Sequence, residues 1–355
     1  MFIVTNRQVH EQKRGFNKFG HIPNEHGPHE LRIVEVTKRG SKWIVDVLPD
    51  IIDNKMKKEV GITDPADHFC SEYVSRKIRD SVRRSKRHIL FYVHGFNNDM
   101  EDVAEQAENL RRIYKMEVIS FSWPAKGGGA ISGTLSYKKD KKVAQLSVGA
   151  LDRTIEKINK FINQFNKEAV DDITKRACRD FPDNPSLRNA EIASLSEAHC
   201  PIRVSALFHS MGNYLFKHAV QSSVFDTDSA VFDNIVMAAA DTNNEDHAEW
   251  VDKINARKRI YIAINENDYA LRASRMKLGD AQKARLGHYI RMLDAKRPFY
   301  IDFTDLKSVG NSHSYFTEAK DNAAIKRFFS KAFCGDSAEQ ELWYHASENI
   351  YRFWS

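Results

Sequence analysis

At 355 residues, with 42% apolar and 29% charged side chains, the chain is long enough to bury a sizeable core and too apolar for a disordered or fibrous protein. Lysine and arginine total 54 against 48 acidic residues, a net charge of +6 that gathers in "SRKIRDSVRRSKRH" and "YKKDKKVA". Arg76, Arg79 and Arg83 recur there at helical spacing, as on a solvated helix face, and no stacking aromatics accompany them, so nucleic acid is not an expected partner.

In chain order, residues 1 to 60 open as a β region: "MFIVTNR", then "ELRIVEVT" and "KWIVDVLP" joined by the turn residues "KRGS". A helix is expected next, with Asp64 as N-cap and Pro65 at its first position, running through "ADHFCSEYVSRKIRDSVRRS". The buried strand "HILFYVHGF" follows, then the helix "DVAEQAENLRRIYK", the strand "EVISFSW" and a long helix around "LDRTIEKINKFINQF". Four more strands complete the series: "IRVSALFHSMG", "NIVMAAAD", "RIYIAINEND" and "FYIDFTDL". Apolar strands with helices between them predict a doubly wound, mostly parallel α/β sheet within one domain spanning residues 1–335.

Two segments interrupt the pattern. Residues 168–200 are polar and carry two prolines, which reads as an insertion beside the sheet, either a surface excursion, a lid or a partner surface. The tail 336–355 ends in "YRFWS" and is too aromatic to leave exposed as a patch, so it is expected to dock on the body or on a second subunit as a homo-oligomer contact. Together with the basic runs it would also suit peripheral contact with an anionic membrane. The first residues lack the basic, apolar and small-residue pattern of a signal peptide, no run approaches a membrane span, and the four cysteines (Cys70, Cys178, Cys200, Cys334) form no CxxC pair. A cytoplasmic location with reduced thiols is the expectation.

The chemistry-bearing stretch is "FHSMGN". A hydroxyl becomes a nucleophile when a base accepts its proton and donors meet the oxyanion. Ser210 stands where an apolar strand turns into a helix, and a strand-turn-helix elbow of this kind needs small residues two before and two after the serine. Gly212 meets that demand, whereas Phe208 does not. A serine so placed is otherwise often a helix cap. The "HGF" after the earlier strand, His94 to Phe96, brings a glycine turn beside a backbone amide, so the amides of Phe96 and Met211 are the candidate oxyanion donors. An acid and a histidine should follow at the ends of later strands: Asp268 and His313 fit, and Asp241 at the end of "NIVMAAAD" is the competing acid. His94 and His209 read as residues that shape turns, and Gly95 and Gly212 as glycines that support the two turns. No cluster has metal-ligand spacing, and "AKGGGAISG" lacks the ending of a phosphate loop, so no cofactor is expected.

The segments "FIVTNR", "FYVHGFNN", "ISFSWPAKG", "SYKKD", "LFHSMGN", "MAAAD", "NENDYALRASR" and "NSHSYF" occur in order over about residues 1–317, and in them the chain resembles the α/β hydrolases of unknown function grouped as DUF900. The resemblance implies an α/β-hydrolase fold, with Ser210, Asp268 and His313 as a triad and "HGF" as the oxyanion loop. The sequence-level expectation is therefore a serine hydrolase acting on a small-molecule carboxylic ester or related acyl compound. The rival is a binding or scaffold protein that keeps the fold without turnover, a reading that Phe208 favours.

Overall fold

The computed structural model describes residues 1–27, 30–127, 134–198, 202–222, 230–276 and 283–354. Its strands are β1 (Phe2–Thr5), β2 (Arg7–Val9), β3 (Phe19–Pro23), β4 (Arg32–Arg39), β5 (Lys42–Val47), β6 (Ile89–Val93) and β7 (Glu117–Ser122), followed by β8 (Val204–His209), β9 (Asn234–Ala238), β10 (Arg259–Ile264), β11 (Pro298–Asp302), β12 (Trp343–His345) and β13 (Ile350–Arg352). Among the described residues eleven of them form one sheet in the order β12-β13-β11-β10-β9-β8-β6-β7-β1-β4-β5, while β2 and β3 pair apart from it. Pairing is parallel from β1 through β7, β6, β8, β9, β10 and β11 to β13, and antiparallel only at the two ends. All six apolar strands read from the sequence lie in its centre. The N-terminal strands are part of it too: β1 joins β7 in register from Phe2 opposite Ile119 to Thr5 opposite Ser122.

Alternate side chains of the central strands enter two cores, Phe91 and Val93 of β6 on one face, Leu90 and Tyr92 on the other. The first face is covered by α2 (Cys70–Ser85), α5 (Val148–Asp180) and α7 (Met211–Val220), the second by α3 (Met100–Tyr114) and α11 (Ala323–Phe333). Shorter helices fill the connections: α1 (Asn54–Glu59), α4 (Thr134–Leu146), α6 (Pro185–Ala198), α8 (Ala248–Val251), α9 (Tyr269–Met276) and α10 (Tyr315–Glu318). No described helix is long and apolar enough to cross a membrane.

Three local outcomes differ from or refine the sequence reading. Helix α2 begins at Cys70, not at Pro65, because the preceding backbone is committed elsewhere: Ile52 N donates to His68 O at 3.0 Å and Cys70 N to Asp50 O at 2.9 Å. Asp64 instead closes a turn by accepting from Ala66 N at 3.0 Å. The long helix runs through residue 168 to Asp180, and the polar segment then folds back as α6, with Pro185 at its first position, where a missing N–H costs nothing. The tail adds β12 and β13 to the sheet edge beside β11, leaving Trp343 and Trp354 exposed and stacked on each other with centroids 6.0 Å apart.

The order reverses between β6 and β8, since β6 leads to β7 on one side while β8 lies on the other. Crevices at the carboxyl ends of strands open at such switch points. Nearby, residues 285–288 cross the ends of β9 and β10, Gly287 donating to Ala240 O and accepting from Asn265 N, both at 3.0 Å. A Cβ on Gly287 would lie 2.1 Å from Ala240 N, a backbone atom that cannot step aside. Gly287→Ala is expected to lower the unfolding free energy by about 2 kcal/mol or more; urea denaturation followed by tryptophan fluorescence measures it, and an unchanged midpoint would contradict this packing.

Candidate active site

Ser210 occupies the turn between β8 and α7 with φ +52° and ψ −122°. A non-glycine residue at positive φ is strained by about 1–3 kcal/mol and persists only where its surroundings over-determine it. They do so here. Ser210 N donates to Ala238 O at 3.0 Å, and Asp241 N donates to Ser210 O at 3.2 Å. The Asn213 side chain, fully buried one turn into α7, donates to Phe208 O at 2.8 Å, Ala238 O at 3.2 Å and Ser210 O at 3.3 Å.

The two glycines are fixed by close approach. A Cβ on Gly212 would stand 2.7 Å from His94 O, and one on Gly95 would stand 2.6 Å from Ser210 Cβ and 3.2 Å from its Oγ. The end of β6 and the turn after β8 therefore touch, with Gly95 packed against the Ser210 side chain. Phe208 is accommodated without displacing the helix: it is fully buried and stacks on Phe216 of α7, centroids 3.9 Å apart and planes 11° from parallel. The bulk that the sequence flags as an obstacle is the packing between strand and helix.

Asp268 follows β10 and is fully buried. Its Oδ1 accepts from the amides of Ala270 (2.9 Å) and Leu271 (3.0 Å), which orients the carboxylate and leaves Oδ2 to meet His313 Nδ1 at 2.7 Å. The His313 loop is held by Asn265, whose Nδ2 donates to Gly310 O and Ser312 O at 3.1 Å each. It is also stapled to the elbow: His209 Nε2 donates to His313 O at 3.1 Å, with the two rings 4.7 Å apart. The structure thus joins Asp268 to His313 and ties the His313 loop to His209, the residue before Ser210. Ser210 Oγ has no hydrogen-bond partner among the described residues.

The other wall is the 94–99 loop. His94 is buried, stacks on Trp123 at 5.1 Å, and places its ring nitrogens against Gly95 O (2.8 Å) and Trp123 O (3.1 Å). Behind the loop lies Arg7, also fully buried, donating to Asn98 O at 2.9 Å, Ala125 O at 2.8 Å and Ser122 Oγ at 2.9 Å. Met211 opens α7, so its amide has no carbonyl partner within the helix. The glycine-rich residues 128–133 lie outside the described residues.

The family profile described as "Alpha/beta hydrolase of unknown function (DUF900)" matches residues 71–169 and 185–322. The chain belongs to this family. Comparison with curated proteins and with solved structures returned no match. Ser210, Asp268, His313 and the 94–96 turn all fall inside the two matched stretches, whereas Arg7 lies before them.

Electrostatics separates the three histidines of this DUF900 hydrolase. Burial, assisted by the Arg7 charge, lowers His94 to about 3. Burial and the neighbouring His313 push His209 well below the ordinary imidazole value. Burial also opposes a charge on His313, but the Asp268 carboxylate and its hydrogen bond outweigh it and hold His313 above that value. Asp241 is not brought to a histidine. Its oxygens accept from Ser274 Oγ (2.7 Å) and Tyr137 OH (2.8 Å), and it pairs with Arg285, whose Nε lies 3.2 Å away, which sets it aside as the competing acid. A cavity of about 620 Å³ lies between α2, α5 and β1, away from the elbow and lined by side chains such as Val74, Ile78, Ile158 and Phe161. Among the described residues no group of three or more His, Cys, Asp or Glu is placed to hold a metal.

Arg7, Asn213 and Asn265 escaped the sequence reading, although "FIVTNR", "HSMGN" and "INEND" contain them. Asn213→Ala removes the donor shared by three buried carbonyls and is expected to cost about 1–3 kcal/mol in urea denaturation, against almost nothing for Asn163→Ala on the exposed face of α5. Equal effects would mean that the elbow does not depend on this clamp.

Proposed function

We propose that this DUF900 hydrolase cleaves a carboxylic ester or related acyl compound through an acyl-enzyme on Ser210. The carrying observation is the His313 Nδ1 to Asp268 Oδ2 contact of 2.7 Å on a loop stapled to the elbow that presents the serine. In this reading Ser210 Oγ attacks the acyl carbon while His313 Nε2 takes its proton, and the amides of Phe96 and Met211 receive the oxyanion. Collapse of the tetrahedral intermediate breaks the bond to the leaving group, which departs with the proton from His313. A water molecule then gives its proton to His313 and attacks the acyl carbon, and the carboxylic acid leaves as Ser210 recovers the proton. Asp268 keeps the imidazole in the tautomer with Nδ1 protonated, and Arg7 adds a fixed positive charge behind the oxyanion loop.

The direct test is intact-mass analysis after exposure to a fluorophosphonate. One adduct on the wild type, absent from Ser210→Ala and sharply slowed in His313→Ala, is the expected outcome. An unlabelled wild type would favour the binding-protein reading, to which the depth of Ser210, 5% exposed, lends some support.

The pH profile follows from His313. The imidazole accepts a proton only when neutral, so kcat/KM must fall as pH drops through its pKa. Because Asp268 holds that pKa above the ordinary value near 6.5, the acid limb is expected above pH 6.5. Asp268→Asn removes the charge, moving the limb to lower pH and reducing turnover by about 10²–10⁴. Full activity with an unshifted limb would exclude Asp268 as the orienting acid.

A further inference from the structure

The segment after β9 links the elbow to a second cavity. Asp241 N is bonded to Ser210 O, and Asp241 and Thr242 then line a small cavity of about 130 Å³. Tyr137 joins the two places, its ring edge-on to Phe96 at 5.6 Å and its hydroxyl on Asp241. Tyr214 and Lys217, three residues apart on α7, face the cavity from the helix that Ser210 begins.

The lining is cationic. Lys141, Lys217, Lys283 and Arg285 border the cavity, and among the described residues Asp241 is its one carboxylate, already engaged by Ser274, Tyr137 and Arg285. Glu245 neutralises Lys283 at 2.6 Å. Lys141 is set against the rings of Tyr137 and Tyr214, with Nζ 5.2 and 5.0 Å from their centroids. The Lys217 ammonium forms no hydrogen bond or ion pair among the described residues. Burial lowers its pKa; the charges of Glu249 and Asp246 oppose the shift, and those of Lys141 and Lys283 add to it by less.

An independent observation points the same way. Thr242 is 2% exposed, and its Oγ1, buried at the cavity wall, has no hydrogen-bond partner among the described residues. A buried hydroxyl left unpaired costs about 1–3 kcal/mol, and each such group calls for an explanation, a bound ligand among them.

We propose that this cavity binds an oxyanion, the carboxylate or phosphate group of a substrate whose acyl carbon is presented to Ser210. The substrate class is then an anionic acyl ester, and that kinetic half rests on the serine-hydrolase reading. Lys217 and Thr242 are specificity-determining residues that touch the anionic end of the substrate and take no part in bond breaking.

The test compares p-nitrophenyl esters of equal chain length ending in methyl, carboxylate or phosphate, assayed on the full chain. Wild type is expected to favour at least one anionic ester by about 10- to 100-fold in kcat/KM. With a net charge of +6 the whole protein attracts anions, so two variants of equal charge are compared: Lys217→Met at the cavity and Lys167→Met on the exposed face of α5. Loss of at least fivefold of the preference in Lys217→Met, with Lys167→Met unchanged, sustains the proposal. A wild type without the preference, or equal losses in both variants, overturns it. Lys217→Gln replaces Lys217→Met if the latter fails to fold. If no ester is turned over and the fluorophosphonate does not label, the hydrolase reading falls, and calorimetric titration with inorganic phosphate and with succinate decides the cavity. Binding of either, weakened tenfold or more in the Lys217 variant alone, sustains an anion site; binding of neither, or equal weakening in both variants, removes it.

Discussion

The candidate site rests on the distance at which the end of β6 meets the turn after β8. With Gly95 and Gly212 the two backbones touch; with any side chain at either position a Cβ would sit inside 3 Å of Ser210 Cβ or of the carbonyls of Val93 and His94. That proximity forces Ser210 into positive φ, and the strain is carried by hydrogen bonds around it: the Ala238 carbonyl, the Asp241 amide and the three acceptors of Asn213. What is held is the backbone that carries the hydroxyl, and in the proposed reading that fixed position is the entropic advantage of a preorganised nucleophile.

Burial acts on every ionisable group in the crevice, and partners decide the outcome. His94 and His209 lack carboxylates and remain neutral, leaving their rings to serve as hydrogen-bonding spacers. His313 has Asp268 and retains its affinity for a proton. Arg7 is the opposite case, a buried guanidinium with no carboxylate in contact, lowered to about 10 by burial and satisfied by carbonyls and a serine hydroxyl. Breaking such an arrangement would orphan several acceptors together, so Arg7 fastens the loops at Asn98 and Ala125 to the start of β2.

Much of this was legible in the sequence because the sheet centre has few solutions. Apolar runs such as "ILFYV" and "IVMAAA" leave no doubt about burial, and the order of "HGF", "HSMG", "NEND" and "NSH" at strand ends fixes which side chains can meet. What stayed hidden depends on contacts across long separations. Asn213 reads as an ordinary helix residue until its three carbonyls converge on it, and Arg7 reads as a surface cation until 118 residues later Ala125 accepts from it. Phe208 misled because the small-residue rule assumes a close strand-helix approach, whereas here Phe216 turns that gap into an aromatic stack. The start of α2 differs for a similar reason: Asp64 and Pro65 are sound capping residues, but the Asp50–Ile52 segment engages the backbone of residues 68–70 through an isolated antiparallel bridge.

The two acids at the ends of adjacent strands show how surroundings assign roles that chain order leaves open. Asp241 after β9 and Asp268 after β10 are both buried and both follow the serine, so position alone does not rank them. Backbone amides fill one oxygen of Asp268 and leave the other for the imidazole of His313. Asp241 is instead saturated by a tyrosine, a serine and an arginine drawn from three separate segments, so it ties Tyr137, Ser274 and Arg285 together and offsets one of the cations around the neighbouring cavity. Without that carboxylate, Arg285 would face Lys141, Lys217 and Lys283 unbalanced; with it, the cluster can remain folded while still holding more positive than negative charge. One acid thereby serves the imidazole and the other the cation cluster, and the difference lies in which donors arrive, not in the carboxylates themselves.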